Sequence, residues 1–526
     1  MMSRDCFAFQ QFPVNHRISS SSSISSSLNL FKSSSNSSVD TNPVSKSSAT
    51  STLRFVDRGN RKAKQVEVKN NETTDADSSM LYTMLGLIFV VAGLSALDRI
   101  AMSVALVPMT EEFGFTDTTK GAISSFFSVG YGFAILPAGL LLASVSPRLF
   151  MTIGVALWST GTILTPFTAA QENMSILLGA RALVGASESV VIPSVQRLIA
   201  SWVPVDKKAL SIGVLLAGFQ SGTIGAYLLS PYLVEQLGDW RDLFYVYGGA
   251  GLLFLIPWLA LAKDSPNDLI KSESQVAIAT DSRKKFISPL KSIDAKQDQD
   301  EDSSPLRSAI DLVQAAPWGE FVRSKAVWAM FLAHAANNWG LYNNLNWGST
   351  FYSEQYGLNI KESAFLLVLP AIVGGVMGLT AGKLSDTFID SLDERTDEAI
   401  TNARKTFQAI SSFGPSVFFA ILAFHIPEQP WVSQSLLTAA VALQSFNSAG
   451  YVAANQEKAG EKWTGLLYSI TSLPSVWVGT SGVYLSGRIL DATNQDWSYV
   501  WGITSLVFAI GGLSFINLYD AKREFD

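Results

Sequence analysis

The sequence of 526 residues is poor in charge, with 16% Asp, Glu, Lys and Arg where a soluble domain has about 25%. The single cysteine, Cys6, excludes a disulfide framework and a cysteine metal site. His16, His334 and His425 are too far apart to pair as helical metal ligands. A net charge of −6 offers no general basic surface for nucleic acid, and no phosphate-binding Walker loop is present. We therefore expect no cofactor, no nucleic-acid partner and no ATP-driven activity.

Long apolar runs dominate what remains, since 48% of the residues are hydrophobic. A membrane-spanning helix needs about 20 largely apolar residues. Windows of this kind predict an all-α integral membrane protein with twelve transmembrane helices in two six-helix halves. The predicted spans are 81–109, 121–145, 148–170, 174–203, 208–237, 241–262, 326–353, 362–384, 406–426, 431–455, 463–488 and 498–519. A monomer is expected in the lipid bilayer.

The first 79 residues have a different composition. Residues 19–38 are mostly serine, and basic residues outnumber acidic ones before the first span. A serine-rich, acid-poor leader without an apolar core is typical of a chloroplast transit peptide. Residues 1–79 are therefore predicted to be a transit peptide with a disordered lead-in. A disordered cytosolic tail is the alternative.

A polar linker at 263–325 separates an N-terminal half at 80–262 from a C-terminal half at 326–526. Lysine and arginine concentrate in this linker and in the loops on the same side of the predicted bundle. The positive-inside rule places both termini and the linker on one face. If the membrane belongs to a plastid, that face is the stromal one.

An internal repeat supports two related halves. The segment GTIGAYL at 222–228 recurs as GTSGVYL at 479–485, which is 257 residues later. Asp239-Trp240 recurs as Asp496-Trp497 at the same offset, each pair opening the next span. Parallel six-helix repeats with a binding site between them near the midplane are a transporter architecture.

Charged residues deep inside predicted spans are rare, because each costs about 2.5–3.5 kcal/mol on insertion scales. Asp98 and Arg99 are in the first span, and Arg181 and Glu188 are in the fourth. Seven residues place Arg181 and Glu188 on nearly the same helix face, with Gly185 leaving room between them. A buried arginine suits an anion, and a glutamate shielded from water can take up a proton. A simple interhelical ion pair is the alternative.

Polar stripes run along the seventh and tenth spans. His334, Asn338 and Tyr342 follow one face of the seventh, and Gln444 and several other polar residues mark the tenth. Such side chains either contact a substrate or hold neighbouring helices together. The pattern leaves both interpretations open.

These residues resemble the anion transporters of the major facilitator superfamily, which include plant plastid phosphate-type transporters, sialin and the vesicular glutamate transporters. The resemblance covers the chain from Leu81 onward. The matching segments are LDRIAMSVA at 97–105, SFFSVGY at 125–131, RALVGASE at 181–188 continuing to Pro193, NWG at 338–340, and RKTFQ at 404–408.

The resemblance implies roles for particular residues. Arg99 and Arg181 would bind the anion, and Glu188 would couple transport to a proton or sodium ion. Tyr131 would line the cavity, and we add Asn338 and Tyr342 as candidate substrate contacts. Gly382 and Asp386 would form a conformational latch in the second half.

Three positions depart from the family pattern. Ala101 replaces the usual asparagine, Ala143 stands where an acidic–basic pair is expected, and Asn337 occupies a position that is basic in relatives. The tenth-span ending at 456–458 also differs. With asparagine in place of a basic residue at position 337, one cationic contact to the anion is lost, which would favour a substrate of lower charge.

The sequence therefore predicts a secondary active transporter, not an enzyme, in a plastid membrane. It would move a small anion, inorganic phosphate in the first place, by proton- or sodium-coupled alternating access. An organic anion such as ascorbate or another carboxylate is the alternative substrate. A non-transporting sensor on the same fold is a further alternative.

Overall fold

The computed structural model describes residues 75–142, 145–171, 173–203, 208–265, 314–392, 394–459 and 463–525. Helices account for the regular structure of these ranges, apart from one isolated bridge between Ala459 and Phe525. The helices of the first half are α1 (Asp75–Phe113), α2 (Asp117–Leu141), α3 (Pro147–Ala169), α4 (Met174–Glu188), α5 (Val191–Trp202), α6 (Lys208–Leu237) and α7 (Trp240–Leu261).

The second half begins with a short helix, α8, that precedes its long helices. Its elements are α8 (Trp318–Arg323), α9 (Lys325–Tyr356), α10 (Ile360–Phe365), α11 (Val368–Asp390), α12 (Asp397–Phe424), α13 (Pro430–Gln444), a 3-10 helix (Ser445–Ser448), α14 (Tyr451–Lys458), α15 (Thr464–Ala492) and α16 (Trp497–Leu518).

Twelve long helical segments result when α4–α5, α10–α11 and α13–α14 are each taken as one interrupted segment. Within the described ranges, nine are long and apolar enough to span a bilayer. The other three, α9, α13–α14 and α15, contain more Asn, Gln and Ser. The predicted all-helical membrane fold is confirmed. The largest difference in a boundary is at α12, which begins at Asp397, not 406, because Thr396 caps a polar first turn outside the apolar window.

The repeated sequence occupies equivalent packing positions in the two halves. Gly222 of α6 faces Gly93 of α1, and a Cβ at Gly222 would lie 2.2 Å from the Gly93 carbonyl oxygen. Gly479 of α15 faces α9 in the same way, with 2.9 Å to the Asn338 carbonyl oxygen. Glycine thus permits close helix approach at both positions. The repeated aspartates, Asp239 and Asp496, each cap the helix that follows.

The halves are joined at the end of the bundle that carries loops 114–116, 238–239, 357–359 and 493–496. Lys120 of α2 bonds to Glu354 of α9. Asp491 of α15 accepts hydrogen bonds from the first backbone N–H groups of α2, at 2.9 and 2.8 Å. Lys361 pairs with Glu235 at 2.8 Å. These contacts hold the two halves together at the end opposite the predicted linker.

Several predictions fall outside the described residues. They are the transit peptide as far as residue 74, the linker between 266 and 313, and the departure at Ala143. These remain predictions.

Candidate functional site

A cavity of about 410 Å³ lies between the two halves. This volume is within the roughly 300–1,000 Å³ range of small-molecule sites. Residues from both halves contribute to its wall. They are Ser95, Ala96, Arg99, Ile100, Tyr131, Glu188, Val191, Ile192, Phe219, Gln220, Thr223, Tyr227, Leu341, Asn344, Leu345, Leu367, Pro370, Ala371, Gly374, Gly375, Val441 and Ser445.

An ion pair between Arg99 and Glu188 lies on the cavity wall. Nη2 of Arg99 is 3.4 Å from Oε2 of Glu188, and the same oxygen accepts a hydrogen bond from Ser95 at 2.7 Å. The Arg99 side chain is 35% exposed, whereas the Glu188 side chain is 0% exposed. The arginine can therefore meet a molecule in the cavity while the glutamate stays largely shielded behind it.

Glu188 is the last residue of α4, and a turn at Ser189 and Val190 separates it from α5. Both residues keep right-handed helical backbone angles, so the fourth segment runs as one span from Met174 to Trp202 with Glu188 midway along it.

Glycine contacts bring α4 against α2. A Cβ at Gly185 would lie 1.9 Å from the Phe127 carbonyl oxygen, and one at Gly130 would lie 1.8 Å from the Ala182 carbonyl oxygen. No side chain fits at either position without moving the backbone. Gly185, which lies between Arg181 and Glu188 in the sequence, thus positions both residues beside the second helix.

The ring of Phe127 contacts both of the predicted anion-binding arginines. The guanidinium carbon of Arg99 is 5.0 Å from the ring centroid, and that of Arg181 is 5.4 Å from it. Arg99 also lies 5.7 Å from the ring centroid of Tyr131. Cation–π contacts of this kind orient a guanidinium without neutralising its charge. Phe127 therefore contacts one accessible arginine and one enclosed arginine.

Arg181 is 1% exposed and is not part of the cavity wall. Its Nε and Nη1 have no hydrogen-bond partner among the described residues, and its nearest charges are Asp98 and Glu188. Asp98 is 3% exposed and accepts a hydrogen bond from Thr162 at 2.5 Å. Two arginines and two carboxyl groups thus form one balanced cluster, of which the cavity meets one arginine and one carboxyl.

The polar stripe of α9 faces mainly other helices. Asn338 is 7% exposed, contacts Gly479 and does not line the cavity. His334 stacks on Tyr451 with ring centroids 4.6 Å apart. Tyr342 is also not among the residues that line the cavity, although its hydroxyl interacts electrostatically with Arg99. These contacts are those of helix packing, while the substrate roles of Asn338 and Tyr342 remain predictions.

Asn337, which the sequence resemblance predicts to stand at a basic position of the family, is part of an amide network. Its side-chain oxygen accepts hydrogen bonds from Gln444 at 3.1 Å and from Asn447 at 2.8 Å. It is 8% exposed and lies outside the cavity wall. Ala101 is buried with 0% exposure among apolar neighbours. Neither position supplies charge to the cavity.

The predicted latch residues Gly382 and Asp386 lie on the last turns of α11. Asp386 is exposed, and the neighbouring Ser385 accepts a hydrogen bond from Arg404 at 2.7 Å. Arg404 also bonds to Glu457. The arrangement gives no direct evidence for a latch at Gly382 and Asp386, which stays a prediction.

Sequence reasoning missed functional candidates that have no local signal. Tyr227 and Gln220 line the cavity although they are ordinary polar residues in their helices. Lys120 and Glu354, which join the halves, are separated by 234 residues. The unusual ending at 456–458 contains a residue that joins distant segments within the second half. Lys458 is buried there and pairs with Asp520 and with Glu524, each at 2.8 Å.

The fold and cavity define a polytopic membrane protein with a central site between two related helical halves. A family model described as Major Facilitator Superfamily matches residues 88–482. The chain belongs to this superfamily.

Two relatives from Arabidopsis thaliana are similar over most of the chain. One, named sodium-dependent phosphate transport protein 1, chloroplastic, is 28% identical over 81% of this chain and 77% of its own length. Another, named ascorbate transporter, chloroplastic, is 27% identical over 79% and 71%. A solved bacterial homolog of the human lysosomal transporter Spinster, in an inward-facing and unoccupied conformation, has a TM-score of 0.60. It is 16% identical, covers 85% of this chain and 97% of its own, and shows the fold alone.

Proposed function

We propose that the protein is a secondary active transporter that moves a small anion across a plastid membrane. The observation that carries this proposal is the accessible Arg99 paired with the enclosed Glu188 on the wall of a cavity between two halves. Membership of the superfamily and the names of the relatives support transport as the activity.

The ion pair supplies a coupling mechanism. While Glu188 is ionised, it neutralises Arg99 and an anion would have to compete with it. When Glu188 takes up a proton, or when a sodium ion binds beside it, Arg99 is released to bind the anion. Each ligand then favours binding of the other, as coupled transport requires. The halves would rock about the cavity to expose it to one face at a time.

Inorganic phosphate is the substrate first suggested by sequence, and an organic anion such as ascorbate is the alternative. The relatives' names include both kinds of substrate. Arg181 would act on the anion at a distance through the charge cluster, because it lies outside the cavity wall. The roles of Glu188 and Tyr131 follow the sequence predictions.

The test is uptake of labelled phosphate, ascorbate and a monocarboxylate by purified protein in liposomes, under a pH gradient and then a sodium gradient. Arg99→Ala should lower gradient-driven uptake at least about tenfold, because a hydrogen bond to a charged group contributes about 1.5–3 kcal/mol. Arg395→Ala is the matched control, since its side chain is 62% exposed and far from the cavity wall. Equal uptake by the two variants, or none of any anion by folded wild type, would contradict the proposal.

The plastid location has its own test. Residues 1–79 fused to a fluorescent protein should enter chloroplasts, and a fusion that stays in the cytosol would contradict that location. Protease accessibility of tags at the C-terminus and in the linker should show both on the stromal side.

A further inference from the structure

The cavity wall is charged on one side only. Arg99 is the one basic residue among the described residues that line it, and Glu188 lies against that arginine. The second half contributes the apolar side chains Leu341, Leu345, Leu367 and Val441.

This distribution of charge limits the charge of an occupant. With Glu188 protonated, Arg99 can balance one negative charge, and a second charge would meet no further cation among the described lining residues. An unpaired charge in such surroundings is strongly unfavourable. Dianions such as the main form of phosphate above its second pKa are normally held by several cations or converging N–H groups. The described lining residues of the second half offer no cation for that purpose.

Two polar groups of the wall lack partners. The hydroxyl of Tyr227 is buried with no hydrogen-bond partner among the described residues, and Tyr227 is 2% exposed. The side-chain oxygen of Asn344 also has no hydrogen-bond partner among the described residues. Both residues line the cavity. Buried polar groups normally have partners. Both oxygens are covered, so an uncharged hydrogen-bonding group on the occupant would pair with them once the side chains turn toward the cavity.

Tyr227 belongs to the repeated sequence that otherwise serves helix packing. Its counterpart in the second copy is Tyr484, which is 37% exposed and does not line the cavity. The same motif therefore places one tyrosine in the cavity wall and the other away from it. The difference makes Tyr484 a natural control for Tyr227.

We infer that the substrate is an organic anion with a single acidic group, a largely apolar body and a separate uncharged hydrogen-bonding group. The acid contacts Arg99, the body contacts the apolar wall of the second half, and the hydrogen-bonding group contacts Tyr227 or Asn344. The inference rests on the proposed function, and it disfavours both phosphate and the polar ascorbate.

Binding to purified protein by calorimetry tests this inference, with 4-hydroxybenzoate, benzoate, phosphate and ascorbate as probes. Wild type should bind 4-hydroxybenzoate more tightly than phosphate or ascorbate, and more tightly than benzoate. Tyr227→Phe should weaken 4-hydroxybenzoate binding about 2- to 10-fold, the range of one neutral hydrogen bond, and leave benzoate unchanged. Tyr484→Phe should alter neither probe.

The outcomes separate the two proposals. Arg99-dependent binding and uptake of phosphate or ascorbate, without 4-hydroxybenzoate, would overturn the substrate class and leave anion transport intact. Binding of none of the probes, together with no gradient-driven uptake, would overturn both. A Tyr227→Phe protein that is folded by size exclusion and thermal melting but loses no affinity would remove Tyr227 from the site.

Discussion

The two halves of the bundle share their packing but contribute different chemistry to the cavity. Gly222 and Gly479 permit the same close helix approach, and Asp239 and Asp496 cap equivalent helices. The first half nevertheless supplies the charged pair, whereas the wall from the second half is neutral and largely apolar. The repeat therefore preserves what the scaffold requires, and the site depends on residues in which the halves differ.

The largest expected effect is a loss of stability when the enclosed Arg181 of the first half is removed. Arg181→Met removes a positive charge that acts on the buried Asp98, and leaving a buried charge uncompensated costs about 3–5 kcal/mol. We expect a large fall in the thermal unfolding temperature of the purified protein relative to Arg395→Met.

The double variant Arg181→Met, Asp98→Asn should recover much of that stability, because it removes both charges. If Arg181→Met instead melts like its control while anion binding is lost, Arg181 contacts the anion directly and the assignment of Arg99 as the accessible arginine is wrong.

A smaller effect is expected from making the second half resemble the first. Leu341 lines the cavity and is 39% exposed, so an arginine there can reach the anion. Leu341→Arg should raise the affinity for a dianion relative to a monoanion by about tenfold, in line with one additional charge-assisted contact. Competition binding of phthalate against benzoate measures the ratio.

Leu341→Gln is the control, since it is polar and of similar length without the charge. An equal ratio in the two variants would show that charge on this wall does not govern selectivity.

Much of the fold was predictable because apolar windows and intramembrane charge have strong physical causes. Arg99 and Glu188 were identified from the cost of charge in lipid, and the structure places them together on the cavity wall. The contact of both Arg99 and Arg181 with the ring of Phe127 was not predictable, because an aromatic residue in a membrane helix is ordinary.

Contacts between distant segments were also beyond sequence reasoning. Lys120 and Glu354 join the halves across 234 residues, and nothing in either local pattern indicates the partner. The same holds for Tyr227, whose neighbours in sequence match those of Tyr484. Tertiary packing alone decides which of these two tyrosines lines the cavity.

The most direct test of the account is a comparison of two transport modes in Glu188→Gln. Glutamine keeps the size of the side chain and stays neutral, so it imitates the protonated state in which Arg99 is free. The variant should exchange labelled anion across liposomes at a rate within a few-fold of wild type, yet accumulate none in response to a pH gradient. Accumulation that still follows the gradient in Glu188→Gln would contradict coupling at the Arg99–Glu188 pair.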